Sequence, residues 1–320
     1  MSKAIEVSGL TKIYDELVAV DNISFEVEAG EVFGFLGPNG AGKTTTIRIL
    51  TGLSKPTTGN ARVLGYDIVT DIVKAKRAFG VVPELSNMYD ELTGLENLLF
   101  MEQLYGVPPY ERQTRAEELL RTFGLYERKD SRFASYSRGM KRALTVAAAL
   151  VHKPSLLFLD EPTVGLDVVA ARSLRAILKR FRESGITIFL TTHYLEEADV
   201  LCDRIGLLVK GKIVAVNTPA KLKTMAEEKP ALEISFKMSL PRAAEELGQR
   251  LIDLAVVEVD DKIRIYGGDT DAVLETVLAY ARENRTQISA VSSLKPSLED
   301  AFVKLTGLTP LLMATEKGGR

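Results

Sequence analysis

Eight residues restrict this chain more than any others: Gly37-Pro38-Asn39-Gly40-Ala41-Gly42-Lys43-Thr44. They follow a continuous apolar run, Val32–Leu36, and lead into a helical pattern over Lys43–Leu50. An apolar run of that kind reads as a strand buried on both faces. The context is therefore strand, glycine-rich turn, helix. The spacing G-x-x-x-x-G-K-[ST] has a physical reason. Glycines let backbone N–H groups turn inward and approach phosphate oxygens, and the helix N-terminus adds partial positive charge. Lys43 can reach the β- and γ-phosphates, the Thr44 hydroxyl suits Mg²⁺, and Thr45 beside it is a further nucleotide-binding candidate. ATP and Mg²⁺ are the expected ligands.

The remaining pattern extends this unit into an α/β domain. Ile5, Val7 and Leu10, then Ile23, Phe25 and Val27, alternate as half-buried strands do. Residues 155–159 and 186–192 are further buried-strand runs, with a helical pattern over Val168–Glu183 between them. Strands alternating with helices predict a largely parallel sheet. The run Leu156-Leu157-Phe158-Leu159 ends in two acids, Asp160 and Glu161. Asp160 suits a water-mediated Mg²⁺ ligand and Glu161 a general base for the attacking water. Between the glycine-rich turn and these acids, Leu95, Leu98, Leu99 and Leu104 share a helical face, Pro108-Pro109 breaks it, and residues 111–123 form a second helix before Gly124. The expectation is a helical insertion over about residues 71–150. Lys210-Gly211 is the expected tip of a hairpin.

After Lys229-Pro230 the pattern changes. A strand at 232–238, a helix opened by Pro241 and running to about 254, two short strands around Asp260-Asp261, a helix over 271–283 and a strand over 287–291 follow. The order β-α-β-β-α-β predicts a small ferredoxin-like domain. Ser297-Leu298-Glu299-Asp300 reads as a capping box. The expected domains are residues 1–228, residues 231–308, and a patternless tail over 309–320.

Composition excludes several function classes. The 41 basic and 43 acidic residues leave a net charge of −2, with no global pull toward nucleic acid or anionic lipid. The single cysteine, Cys202, cannot form an internal disulfide or a thiolate zinc cage, and reads as a small buried hydrophobe. No apolar run approaches the 18 or more residues of a spanning helix. The first residues lack the apolar core of a signal peptide. The expectation is a reduced, cytoplasmic protein whose membrane role comes through a partner.

Tyr136-Ser137-Arg138-Gly139-Met140 lies between the phosphate loop and the acidic pair, before a helix rich in Ala and Leu. Here the chain resembles the ATP-binding cassette (ABC) ATPases, whose signature loop reads L-S-G-G-Q. Ser137 and Gly139 match; Tyr136, Arg138 and Met140 depart. The resemblance implies a P-loop cassette with a helical subdomain. It implies that Asp167 belongs to the D-loop, that His193 is the switch histidine, and that Tyr14 stacks on adenine. It aligns Glu84 with the glutamine of the Q-loop, which contacts Mg²⁺ and the attacking water. Glutamate keeps the oxygen, adds a charge and loses the amide donor. The C-terminal segment Pro296-Ser297-Leu298-Glu299-Asp300-Ala301-Phe302 with Leu305-Thr306-Gly307 is similar to the daunorubicin-resistance-type branch of ABC exporters. That implies an ATPase peripheral to the inner face of the cell membrane, bound to a separate integral membrane permease and paired as a homodimer or heterodimer of cassettes, with no nucleic-acid partner.

Two alternatives stand beside this reading. One is an ABC ATPase acting on DNA or ribosomes. About 117 residues separate Lys43 from Asp160, which leaves no room for the coiled-coil arm of chromosome-maintenance relatives. The chain also has one cassette where ribosome-acting relatives usually have two. The other is a regulatory cassette without turnover, which Glu84 and Arg138 leave open. Arg138, Lys141 and Arg142 face either solvent or a subunit interface, and His152 is expected in a loop.

Overall fold

The computed structural model describes residues 2–226, 231–238, 240–252, 254–259, 262–294 and 297–308. The Lys229-Pro230 junction, the Asp260-Asp261 turn, Pro296 and the tail 309–320 lie outside the described residues. In chain order the elements are β1 (Lys3–Tyr14), β2 (Leu17–Glu28), β3 (Val32–Leu36), α1 (Lys43–Leu50), β4 (Thr58–Val63), β5 (Tyr66–Asp67), α2 (Ile72–Lys76), β6 (Phe79–Val82), α3 (Gly94–Leu104), α4 (Pro109–Thr122) and α5 (Arg138–Ala149). There follow β7 (Leu156–Asp160), α6 (Val168–Glu183), β8 (Thr187–Thr192), α7 (Leu195–Leu201), β9 (Arg204–Val209), β10 (Lys212–Asn217), α8 (Pro219–Ala226) and β11 (Ala231–Phe236). The last are α9 (Ala243–Arg250), β12 (Ala255–Val259), β13 (Lys262–Tyr266), α10 (Thr270–Glu283), β14 (Ile288–Leu294) and α11 (Leu298–Thr306). The described residues fall into two compact units, divided between Pro219 and Ala220 and again between Lys304 and Leu305. The first division falls ahead of the junction expected near residue 228.

In the first unit a six-stranded sheet has the order β10-β9-β3-β8-β7-β6, parallel except for β10. An antiparallel sheet, β2-β1-β4-β5, supplies the second layer. All five residues of β3, β7 and all six of β8 are buried, as apolar runs in a covered parallel sheet require. One face of the core is aromatic. Phe33 and Phe35 of β3, two residues apart and so on one face, meet Phe25 of β2 and Phe189 of β8 at centroid distances of 4.8–5.8 Å. On the other face, a Cβ at Gly34 would stand 2.4 Å from the Cys202 Sγ. Burial pushes the Cys202 thiol up, so it packs as a small hydrophobe.

Three sequence expectations are corrected. Phe79–Val82, inside the expected helical insertion, is β6, the edge strand parallel to β7. Four residues are too few to show a period, and the strand is decided by its neighbour. A Cβ at Gly80 would lie 2.1 Å from the Ala149 carbonyl oxygen, so α5 packs directly on the β6 backbone. Pro109 opens α4 at its first turn, where a missing N–H costs nothing. In the second unit α9 spans only Ala243–Arg250, short of residue 254. That unit holds an antiparallel sheet of order β12-β13-β11-β14, against which α9 and α10 pack. Its core gathers Leu232, Ile234, Leu247, Ile263, Ile265, Val277 and Tyr280. The β-α-β-β-α-β connectivity and this strand order are those of a ferredoxin-like fold. Ser297 and Asp300 exchange the reciprocal bonds of the capping box before α11.

The helices between β6 and β7 carry one unusual group. Glu102 of α3 is fully buried, and neither carboxylate oxygen has a hydrogen-bond partner among the described residues. Burial pushes its carboxyl up to about 7, against the opposing charges of Arg115 and Arg112. The folded state therefore binds this proton more tightly than the unfolded chain. Its contribution to stability is complete below the unfolded value of 4.5 and is lost as pH rises through about 7. Glu102→Gln is expected to raise the urea midpoint at pH 8 and to flatten the fall in stability between pH 5 and 8. An unchanged midpoint at pH 8 would show that the carboxylate is solvated.

Candidate nucleotide site

The parallel sheet places the candidate residues together at the carboxyl ends of adjacent strands. Residues 37–42 leave the end of β3, Asp160 ends β7, and His193 follows β8. Such strand ends are where open α/β sheets bind ligands. The glycine-rich turn is held from three sides. Gly37 N–H donates to the Thr192 carbonyl at 3.3 Å, Gly211 N–H to the Ala41 carbonyl at 3.0 Å, and Thr46 N–H to the Gly42 carbonyl at 3.0 Å. The Lys210-Gly211 hairpin tip, both residues at positive φ, thus braces the loop from β9 and β10. Gly42 has φ +102°, and a Cβ there would stand 2.4 Å from the Ala19 carbonyl.

A cavity of about 520 Å³ is lined by Tyr14, Asn39, Gly40, Ala41, Gly42, Lys43, Thr44, Thr45, Glu84, Glu161 and His193, with Leu17, Val18 and Ala19 beside Tyr14. Gly37 and Pro38 stand behind it, their carbonyls accepting from Lys43 Nζ at 2.6 and 3.1 Å. The half-exposed Tyr14 offers its ring at the rim, with Lys12 Nζ 4.7 Å from the ring centroid.

Lys43, Glu161 and His193 form a chain. Glu161 Oε1 is 3.1 Å from Lys43 Nζ, and Oε2 is 2.9 Å from His193 Nδ1. Burial alone would raise the Glu161 carboxyl, but His193 and Lys43 outweigh it and hold it below the usual glutamate range. It is ionised at neutral pH. Asp160 goes the other way: burial raises its carboxyl, partly offset by hydrogen bonds from Thr191 (2.6 Å) and Thr44 (3.1 Å). The Thr44 hydroxyl and the Asp160 carboxylate are hard oxygen donors side by side. That set fits Mg²⁺, which uses few protein ligands and completes its shell with phosphates and water. Glu84 lines the same cavity.

Ser137, Gly139 and Asp167 are not brought into this cavity. They line a separate one of about 290 Å³. Ser137 caps α5, accepting from Met140 N–H at 3.3 Å, and Asp167 caps α6, accepting from Ala170 N–H at 2.8 Å. A Cβ at Gly139 would lie 2.8 Å from the Ala170 Cβ, so only glycine lets these helix starts meet. Tyr136 is buried, its hydroxyl donating to the Arg128 carbonyl at 2.7 Å.

Sequence reasoning missed two groups. Thr191 supports Asp160 and Glu161 from β8, hidden in an apolar run. Arg142 is buried and donates to the Asp160, Glu161 and Pro162 carbonyls, settling its placement away from solvent. Its spacing from buried Thr145 and Val146 was the available signal. Arg138 is exposed, Lys141 pairs with Asp90 at 3.0 Å, and His152 stacks on Tyr105 with centroids 4.0 Å apart.

The fold and cavity define a phosphate-loop nucleotide-binding protein, and comparison with known proteins narrows that class. The sequence profile of the ABC transporter family matches residues 20–164. The linearmycin resistance ATP-binding protein LnrL of Bacillus subtilis (strain 168) is 36% identical, covering 95% of this chain and 99% of its own. The daunorubicin/doxorubicin resistance ATP-binding protein DrrA of Streptomyces peucetius is 38% identical, covering 96% and 93%. The Nod factor export ATP-binding protein I of Mesorhizobium japonicum is 35% identical, covering 95% and 87%. Among solved structures, an ATP-binding subunit of an ABC transporter superposes with a TM-score of 0.64 at 33% identity, over 69% of this chain and 92% of its own. The cassette MJ0796, a dimer bound to ADP and phosphate, gives 0.61 at 25% identity, over 67% and 98%. The chain belongs to the ABC transporter family, as an ATP-binding subunit.

The geometry separates binding from chemistry. Lys43→Ala is expected to abolish binding of a fluorescent ATP analogue, because a buried charge-assisted phosphate contact is lost. Glu161→Gln is expected to keep binding but abolish phosphate release, and His193→Ala to lower turnover by roughly one to several orders of magnitude. Equal loss of binding in the Lys43 and Glu161 variants would assign Glu161 a structural role.

Proposed function

We propose that this chain hydrolyses ATP to energise export through a separate membrane subunit. The observation that carries the reading is the Lys43–Glu161–His193 chain at the mouth of the phosphate loop. Lys43 and the loop N–H groups bind the phosphates. Glu161, held ionised, accepts the proton of the attacking water. His193 fixes the orientation of that carboxylate through its 2.9 Å contact. Thr44 and Asp160 would hold Mg²⁺, with Glu84 beside them; when bound, the ion neutralises charge on the phosphates. Tyr14 stacks on the base. Export is supported by the names of the curated relatives, which are resistance and export ATP-binding proteins.

Among the described residues no helix is long and apolar enough to cross a membrane. We therefore assign the transport path to an integral membrane permease, with this chain peripheral on its inner face. The cargo chemistry resides in that partner.

The separation of the Ser137–Gly139 cavity from the phosphate cavity favours a site completed by a second cassette. Two cassettes then enclose two ATP molecules head to tail, Ser137 and Gly139 of one facing the γ-phosphate held by Lys43 of the other. Asp167, at the start of α6, lies beside the same contact. Light scattering of Glu161→Gln with Mg-ATP is expected to give a dimer that reverts on nucleotide removal. A monomer at saturating ATP, alone and with its purified permease, would overturn the composite site.

The carboxylate of Glu84 adds negative charge where the phosphates of ATP and Asp160 already stand. We read it as a brake that holds its loop back until a partner engages. Glu84→Gln is expected to raise basal ATPase activity several-fold and to shrink stimulation by the permease. Lower activity together with weaker Mg²⁺ dependence would instead make Glu84 a metal ligand.

A further inference from the structure

Arg142 does something that neither the phosphate loop nor the acidic pair accounts for. Strands β6 and β7 are hydrogen-bonded neighbours, paired as far as Val82 and Leu159. Beyond that pair the β6–β7 ladder stops: one chain leaves at Pro83-Glu84, while the other runs one residue further, with Asp160 still paired to Thr191 of β8, and turns at Glu161-Pro162. Buried carbonyls released from a ladder need donors. The Arg142 guanidinium donates to five of them from α5, one of which, the Glu161 carbonyl, also accepts from Val164 N–H at 3.3 Å. Nη1 donates to the Pro83 carbonyl and, at 3.2 Å, to that of Glu84. Nη2 donates to Asp160 at 2.8 Å and Glu161 at 3.1 Å, and Nε to Pro162 at 2.8 Å.

An arginine has five N–H donors in one rigid plane. Here they meet the five carbonyl oxygens of two separate turns. Burial draws the guanidinium down to about 10, against the raising effect of Asp160, Glu197, Glu84 and Glu161 around it, so it stays charged at neutral pH. The same turn holds Glu161 at φ +48°, a left-handed conformation that a non-glycine residue adopts only when its surroundings impose it. Here Arg142 donates to the Glu161 carbonyl and Thr191 accepts from the Glu161 N–H, and both bonds hold the turn.

We infer that Arg142 is a positioning residue for ATP hydrolysis: it clamps the turn carrying Glu161 to the turn carrying Glu84, so that displacement of the Pro83-Glu84 loop moves the catalytic carboxylate. The inference rests on the assignment of Glu161 as general base. A lysine keeps the charge but has a single nitrogen on a flexible stem, and cannot span both turns.

The test uses full-length Arg142→Lys and Arg142→Gln beside the parent chain. Three quantities are read: affinity for a fluorescent ATP analogue, steady-state phosphate release, and hydrogen exchange by mass spectrometry. Affinity is expected to stay within about twofold, because no phosphate contact is removed. The turnover number is expected to fall by about tenfold to a hundredfold in both variants, the usual effect of misplacing a catalytic group. Exchange is expected to quicken together at residues 83–91 and 160–164, while residues 37–45 keep their protection. Turnover restored by Arg142→Lys would overturn the clamp, since charge alone would then suffice. Faster exchange in one turn without the other would also overturn it, as would misfolding of both variants, which would make the role structural. A parent chain without turnover would instead defeat the ATPase assignment, and the exchange result would still decide whether Arg142 joins the two turns.

Discussion

The site depends on the pairing of β3 with β8 and of β8 with β7. In a parallel sheet, neighbouring strands end at the same edge. Leu36 pairs with Thr192 and Thr191 with Asp160, so the glycine-rich turn, His193 and the acidic pair issue side by side. Their separation along the chain is irrelevant once that register is set. The register is held by burial, because every residue of the three strands is buried. A slip by one residue would turn each side chain to the opposite face of the sheet. The Phe25, Phe33, Phe35 and Phe189 packing would then be lost on one side, and the Gly34–Cys202 fit on the other.

Within that frame, electrostatics treats the two acids differently. Asp160 and Glu161 are adjacent and both buried, yet their carboxyls move in opposite directions. Asp160 is surrounded by hydroxyls, which compensate only part of its desolvation. Glu161 faces Lys43 and His193, which compensate all of it. The turn after β7 holds Glu161 in a left-handed backbone conformation. Strain of this kind costs on the order of 1–3 kcal/mol and persists only where surrounding bonds over-determine it. The hydrogen bonds to the turn from Thr191 and Arg142 do so.

The chain keeps the cassette pattern in the phosphate loop and departs from it at Glu84 and Arg138. Glu84 stands in the loop after β6, and Arg138 at the exposed start of the signature helix. The Glu84 carbonyl accepts from Arg142, and Arg138 is one helical turn before it on α5. The charge of Glu84 bears directly on that buried guanidinium. This is the physical reason to expect regulation, rather than nucleotide affinity, to differ from the common pattern.

The amino-acid order by itself determined the phosphate loop, the buried strands and the ferredoxin-like order of the C-terminal elements. Each is a local pattern: glycine spacing, a continuous apolar run, a change of period. It also carried Lys43, Glu161 and His193 as candidates, because their neighbours in sequence form recognisable motifs. Strand β6 could not be read that way, since four residues carry no period and only β7 and α5 make them a strand. Neither could the opposite shifts of Asp160 and Glu161, which come from residues more than 30 positions away or across the sheet. Arg142 is the clearest case. In sequence it is one cation among three near a helix start, open to solvent or interface alike. Tertiary structure decided its role, because only folding brings the ends of β6 and β7 together and leaves their carbonyls in need of a donor.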